Sequence, residues 1–211
     1  IAKMTVTQED IDSRLDLRDE LIFTIDSADA KDLDDAISVR KTENGYHLGV
    51  HIADVSHYVK AKSAIDNEAF SRGTSVYFAD RVIPMLPEAL SNGVCSLNAG
   101  TEKLTFSALM EFDTEGTMVD YQFRKTVINS KVRGVYSEVN EILAGTASQE
   151  LLAKYAPVMD SLMAAKELAG VFERAAEARG NMDLSIDETK FVLDGNGLCI
   201  DLLPRTTVEW G

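Results

Sequence analysis

The sequence predicts an α+β domain, mainly antiparallel β-sheet with packed helices. Residues 36–55 and 103–130 each read as strand, turn and returning strand. From Tyr136 the apolar residues switch to steps of three and four, the period of a helix. Strand-rich segments followed by helical ones give the α+β pattern. With 211 residues, 45% hydrophobic and 27% charged, the chain can bury a sizeable core.

In chain order, residues 1–13 form a partly helical lead-in, and one domain occupies 14–211. Leu21 to Ile25 and Ala36 to Val39 look like buried strand ends on either side of an acidic stretch. Ala36 to Arg40 is a strand, Asn44-Gly45 its hairpin turn, and Tyr46 to Val55 the return. That pairing puts Val50-His51-Ile52-Ala53-Asp54 beside the acidic stretch. Ser63 with Asp66 is a capping-box variant opening a helix to about Arg72, stopped by Gly73. Thr74 to Phe78 is a short strand rich in β-branched and aromatic residues. The prolines of Ile83-Pro84-Met85-Leu86-Pro87 make that run stiff and extended.

Leu90 to Leu97 is a short helix or turn carrying Cys95. Lys103 to Asp113 and Met118 to Ser130 make a long hairpin around Thr114-Glu115-Gly116. Val158, Leu162, Ala165, Ala169, Phe172 and Ala176 mark one face of a helix, with Pro157 in its first turn and Gly180 at its end. Its methionines and alanines read as packing. A final hairpin spans Phe191–Leu193 and Leu198–Leu203 around Asp194-Gly195-Asn196-Gly197.

Composition excludes several classes. No apolar run approaches the roughly 20 residues of a membrane span, and no secretory signal opens the chain. Cys95 and Cys199 lack metal-ligand spacing and read as two free buried thiols in a reducing cytoplasm. The first residue is Ile1, not Met, which suggests a piece of a longer polypeptide. The net charge of −14 taken alone argues against nucleic acid, since phosphate binding usually rests on Lys and Arg.

The chemistry concentrates at Asp26, Asp29, Asp32, Asp34 and Asp35, five carboxylates within ten residues around one lysine, Lys31. Two such charges about 5 Å apart repel by roughly 3 kcal/mol at an effective dielectric near 20. A free acidic run would extend into solvent, but buried flanks hold this one in place. A divalent-metal site and a solvated acidic turn are the two readings. An EF-hand is excluded, because position six counted from Asp26 is Lys31 and position twelve is Ile37. No Gly-rich loop ends in Lys-Ser or Lys-Thr, and His47, His51 and His57 lack zinc-site partners. His51 reads as a structural strand histidine. Asp34 and Asp35, adjacent in an extended segment, point to opposite sides and so suit different tasks.

Several motifs then carry a resemblance. Arg14-Leu15-Asp16-Leu17-Arg18, Phe23 to Asp26 with Asp32 to Ala36, and Val50 to Val59 stand in order. Arg72 to Tyr77, Ile83 to Pro87, Leu90-Ser91 and Cys95-Ser96-Leu97 follow. Together they resemble the RNB catalytic domain of the ribonuclease II and ribonuclease R family, ribonuclease R more than ribonuclease II. The resemblance implies a Mg²⁺-dependent hydrolytic 3′→5′ exoribonuclease that releases nucleoside 5′-monophosphates from single-stranded RNA, with Mn²⁺ a possible substitute.

By the same resemblance Asp26, Asp32 and Asp35 bind metal, Asp34 faces the terminal sugar hydroxyl, and Tyr77 stacks on the 3′-terminal base. Asp29 is left structural, capping the loop. The family's domain continues further, with a phosphate-gripping arginine and basic OB-fold domains expected in the full-length parent. This chain then corresponds to the N-terminal part of the catalytic domain, weak or inactive alone. The alternative is a non-catalytic RNA- or protein-binding homologue of the same fold.

Overall fold

The computed structural model describes residues 4–181 and 189–204. Thr7 and Asp10 close a reciprocal capping box over α1 (Gln8–Asp12), the helical part of the lead-in. Strands β1 (Leu15–Asp16), β2 (Phe23–Asp26), β3 (Asp35–Thr42) and β4 (Gly45–Ala53) follow. Two helices come next, α2 (Val55–Tyr58) and α3 (Ala64–Arg72). A small hairpin, β5 (Val76–Tyr77) and β6 (Val82–Ile83), leads to a π-helical turn at Ala89–Val94. The long hairpin is β7 (Glu102–Asp113) and β8 (Met118–Asn129), after which β9 (Val132–Val135) runs into α4 (Tyr136–Leu143). Then come α5 (Gln149–Tyr155), α6 (Met159–Ala178) and a separate hairpin of β10 (Thr189–Leu193) with β11 (Cys199–Pro204).

Seven strands form one sheet in the order β1-β8-β7-β4-β3-β2-β9. The four inner pairings are antiparallel, and β1 and β9 join the two ends in parallel. The α+β expectation therefore holds. Helix α6 lies along β3, where Val39 packs on Ala164 and Leu168 and its amide donates to Ser161 Oγ at 2.8 Å. Phe23 and Val132 meet Val139, Ile142, Tyr155 and Leu162 under the helices. The other cluster joins Ile22, Leu33, Ala36, Ala53, Leu90, Leu97 and Ile128. It clamps both ends of the acidic loop.

A buried ion pair fastens the lead-in. Arg14 Nη2 donates to Asp54 Oδ2 at 2.6 Å, and Arg14 Nη1 reaches the carbonyl of Thr105 at 3.2 Å. Across the sheet runs a buried polar ladder. His51 bonds Ser38 Oγ through Nε2 at 3.1 Å and Ser107 Oγ through Nδ1 at 2.8 Å. Ser107 continues to Thr126 at 2.6 Å. Burial pushes the His51 imidazole down to about 4, so it is neutral near pH 7, with both ring nitrogens hydrogen-bonded inside the sheet.

Some expectations are corrected. The first hairpin turns on Glu43-Asn44, and Gly45 opens β4 opposite Thr42. A Cβ at Gly45 would stand 2.0 Å from the carbonyl of Phe112, so contact with β7 dictates the glycine. Pro157 lies in a 3₁₀ turn, Ala156–Val158, ahead of α6 and not within it. The deepest residues of α6 are Ser161, Leu162, Ala164, Leu168 and Val171, so its buried face is rotated from the expected stripe. Cys95 is buried as expected, whereas Cys199 is exposed on β11. Gly73 ends α3 with φ 74°, as read from the sequence.

Candidate active site

The acidic loop begins where β2 delivers Asp26 and ends where β3 starts at Asp35. Its path is fixed from three sides. Leu33 is buried, its carbonyl accepts from Leu97 N at 2.8 Å, and its amide donates to Ser96 Oγ at 3.1 Å. Ser96 Oγ also donates to the carbonyl of Lys31 at 3.0 Å. From β9, Arg133 Nη2 donates to the carbonyls of Ala28 at 3.0 Å and Ala30 at 2.7 Å. The Ala53 amide ties down the carbonyl of Asp34 at 2.9 Å. The strand of Val50 to Asp54 lies beside the loop as expected, with Ile52 opposite Asp35.

Held this way, the carboxylates cannot escape one another. Burial first, and then the charges of Asp35, Asp32 and Asp34, push Asp26 up to about 6, against the pull of Arg133. Burial followed by Asp32 and Asp35 likewise raises Asp34. Asp26 Oδ2 is buried with no hydrogen-bond partner. Such an atom costs on the order of 1–3 kcal/mol unless something satisfies it. The donors are all hard oxygens, the set that Mg²⁺ or Mn²⁺ prefers over zinc or copper. In kind, then, the residues fit a hard divalent cation. In position they are not closed into a cage: among the described residues no three His, Cys, Asp or Glu side chains are grouped to hold an ion.

Tyr77 reaches the same place from another part of the chain. The β5–β6 hairpin carries it 67% exposed, with its hydroxyl donating to Asp32 Oδ2 at 3.3 Å. Asp32's charge, then burial, raises the phenol above its ordinary value. Arg72 Nη1 on the carbonyl of Pro84 at 3.0 Å and Met85 N on Ser75 Oγ at 2.9 Å brace the hairpin. Between it and the loop lies a cleft of about 450 Å³ lined by Asp32, Tyr77, Ser75, Pro84, Ser91 and Asn92 among others.

Of the expected residues, the fold brings Asp26, Asp32, Asp34 and Asp35 into mutual electrostatic reach and adds Tyr77 at Asp32. Asp29 is exposed, and among the described residues no hydrogen bond from its side chain caps the loop. Sequence reasoning missed Arg133, Ser96 and Tyr136. Tyr136 opens α4, and burial and then the charges of Asp26 and Asp35 raise its phenol. Ser96 lies in the Cys95-Ser96-Leu97 motif, where nothing local marks its contact with the loop, and Arg133 gives only the weak signal of a charged residue in an apolar strand.

The comparisons bear on this geometry. The family model described as RNB domain matches residues 14–209. The ribonuclease R of Thermotoga maritima is 52% identical over 202 residues, 95% of this chain and 28% of its own length. Mycoplasma genitalium RNase R, solved with ribose-methylated single-stranded RNA, superposes with a TM-score of 0.92 at 35% identity. That match covers 98% of this chain and 32% of the solved one. Yeast Ssd1, a pseudonuclease, shares the fold with a TM-score of 0.67 at 22% identity, over 86% of this chain and 21% of its own. The chain thus spans about a fifth to a third of the length of these relatives.

Proposed function

The chain belongs to the RNB domain family, and from that premise we propose that it carries the acidic part of a 3′→5′ exoribonuclease site. In this reading the longer protein hydrolyses single-stranded RNA to nucleoside 5′-monophosphates. The observation that carries it is the meeting of Tyr77 and Asp32 at 3.3 Å. They are 45 residues apart in sequence, and their contact joins a base-sized aromatic to the acidic loop.

Asp26, Asp32 and Asp35 would hold Mg²⁺, with Mn²⁺ a substitute. Bound there, the metal would supply Lewis-acid stabilisation at phosphorus and a water of lowered pKa. The chain's own residues do the rest. Asp34 accepts a hydrogen bond from the terminal sugar hydroxyl, which fixes the 3′ end. The Tyr77 ring stacks on the last base, worth about 1–3 kcal/mol whatever the base, as a general degrader requires. Asp26 Oδ2, buried without a partner, has a lone pair ready for a cation.

The net charge of −14 sets the scope. Phosphate affinity must come from basic domains of the longer protein, so the 211-residue chain alone should bind RNA weakly and turn it over slowly. The test uses the full-length protein on uniformly labelled single-stranded RNA with Mg²⁺. Asp34→Asn should cut mononucleotide release by at least 100-fold while leaving RNA binding near wild type; an unchanged rate would refute the assignment.

A second reading keeps the fold and drops the catalysis. It is favoured by the lack of a closed three-ligand cluster among the described residues. It predicts RNA binding by the full-length protein with no Mg²⁺-dependent product, so the same assay separates the two.

A further inference from the structure

Arg133 is in the position to decide the shape of the acidic loop. Strand β9 pairs in parallel with β2, with Arg133 opposite Thr24 and Val135 opposite Asp26. That register sets its guanidinium against the loop that β2 feeds. Nη2 then donates to two loop carbonyls on either side of Asp29, Ala28 at 3.0 Å and Ala30 at 2.7 Å. Charge-assisted donation of this kind is roughly twice as strong as a neutral hydrogen bond. The Nε of Arg133 is buried with no partner of its own, although the residue is only half-buried.

We propose that Arg133 is a positioning residue for the metal-holding loop. It pins the 28–30 segment against β9, so that Asp26 and Asp32 are presented to a shared ion at the cost of mutual repulsion. Ser96 holds the opposite end of the same loop through Lys31 and Leu33 but brings no charge. Arg133 is the clamp whose hydrogen bonds come from a charged donor. The inference rests on the reading that the loop aspartates hold a divalent ion.

Two measurements on the 211-residue chain test it: Mn²⁺ affinity by electron paramagnetic resonance, and hydrogen exchange of loop amides 27–33. Arg133→Met should weaken Mn²⁺ binding at least tenfold and speed loop exchange at least tenfold, with the β7–β8 amides unchanged. Arg133→Lys, which keeps a cationic donor, should stay within about threefold of wild type on both. If Arg133→Met does not fold, Arg133→Gln takes its place under the same criteria. Wild-type Mn²⁺ affinity and unchanged loop exchange in the folded variant would overturn the proposal, as would equal losses in the Met and Lys variants. If the wild-type chain binds no Mn²⁺, the metal reading fails, and loop exchange alone judges Arg133.

Discussion

At the scale of single residues, the acidic loop stores free energy that a metal-free chain cannot use. Asp26 shows it best, with one buried oxygen unpartnered and a carboxyl raised from 3.8 to about 6 by burial and neighbouring charge. A raised carboxyl pKa means the folded state takes up a proton between pH 3.8 and 6 that the unfolded chain does not. The Asp26 contribution to stability therefore falls as pH rises through that window and stays unfavourable above it. Asp26→Asn removes the charge and keeps the shape. Without divalent ions at pH 7 it should melt higher than wild type by about 1–2 kcal/mol of stability, or roughly 2–8 °C, after discounting for partial exposure. The gap should open between about pH 4 and 6 and then level off. Thermal melts in EDTA across pH check this, and a variant that melts lower at pH 7 would contradict it. Stability gained by disarming a site is what a strained functional carboxylate predicts.

Elements explain why the site stands where it does, and which parts of it were readable beforehand. Strand ends, the long hairpin and the Ser63–Gly73 helix were legible because their signals are local: alternation, a capping serine, a C-terminal glycine. The roles proposed for Asp34 and Tyr77 come from motif resemblance, since nothing local marks an exposed hairpin tyrosine as a candidate base platform. Register slipped by one residue at Glu43-Asn44 because Gly45 answers to the Phe112 carbonyl on a third strand. The buried face of α6 rotated because Ser161, polar by composition, sits deep to accept the Val39 amide. Arg133 and Ser96 were illegible for the same reason, their partners lying more than 60 residues away. Gly134 turns this lesson into a test. A Cβ there would lie 2.3 Å from the carbonyl of Thr24, on the strand that delivers Asp26. Gly134→Ala must push β9 off β2 and should cost about 1–3 kcal/mol in urea unfolding, as overpacked sites do. A neutral result would mean that β9 has slack the close contact denies.

For the whole molecule, the deciding quantity is the net charge of −14, to which the acidic loop contributes five carboxylates against one lysine. Two kinds of positive charge can relieve it, and they differ in what they report. Monovalent salt screens every exposed carboxylate, with a Debye length near 10 Å at 0.1 M. A divalent ion chelated by the loop binds the folded state specifically and stabilises it by mass action, about 2.7 kcal/mol at a hundred times its dissociation constant. For a chain of this size that is a rise in melting temperature of roughly 5–10 °C. The decisive comparison is MgCl₂ against NaCl at matched ionic strength, for wild type and for Asp26→Asn. Wild type should gain several degrees more in MgCl₂ than in NaCl. Asp26→Asn, having lost an inner carboxylate, should respond alike to both, so the order of the two melting temperatures narrows or reverses once Mg²⁺ is present. Equal gains for wild type in the two salts would reduce the loop to a screened acidic turn and leave the nuclease reading without its metal.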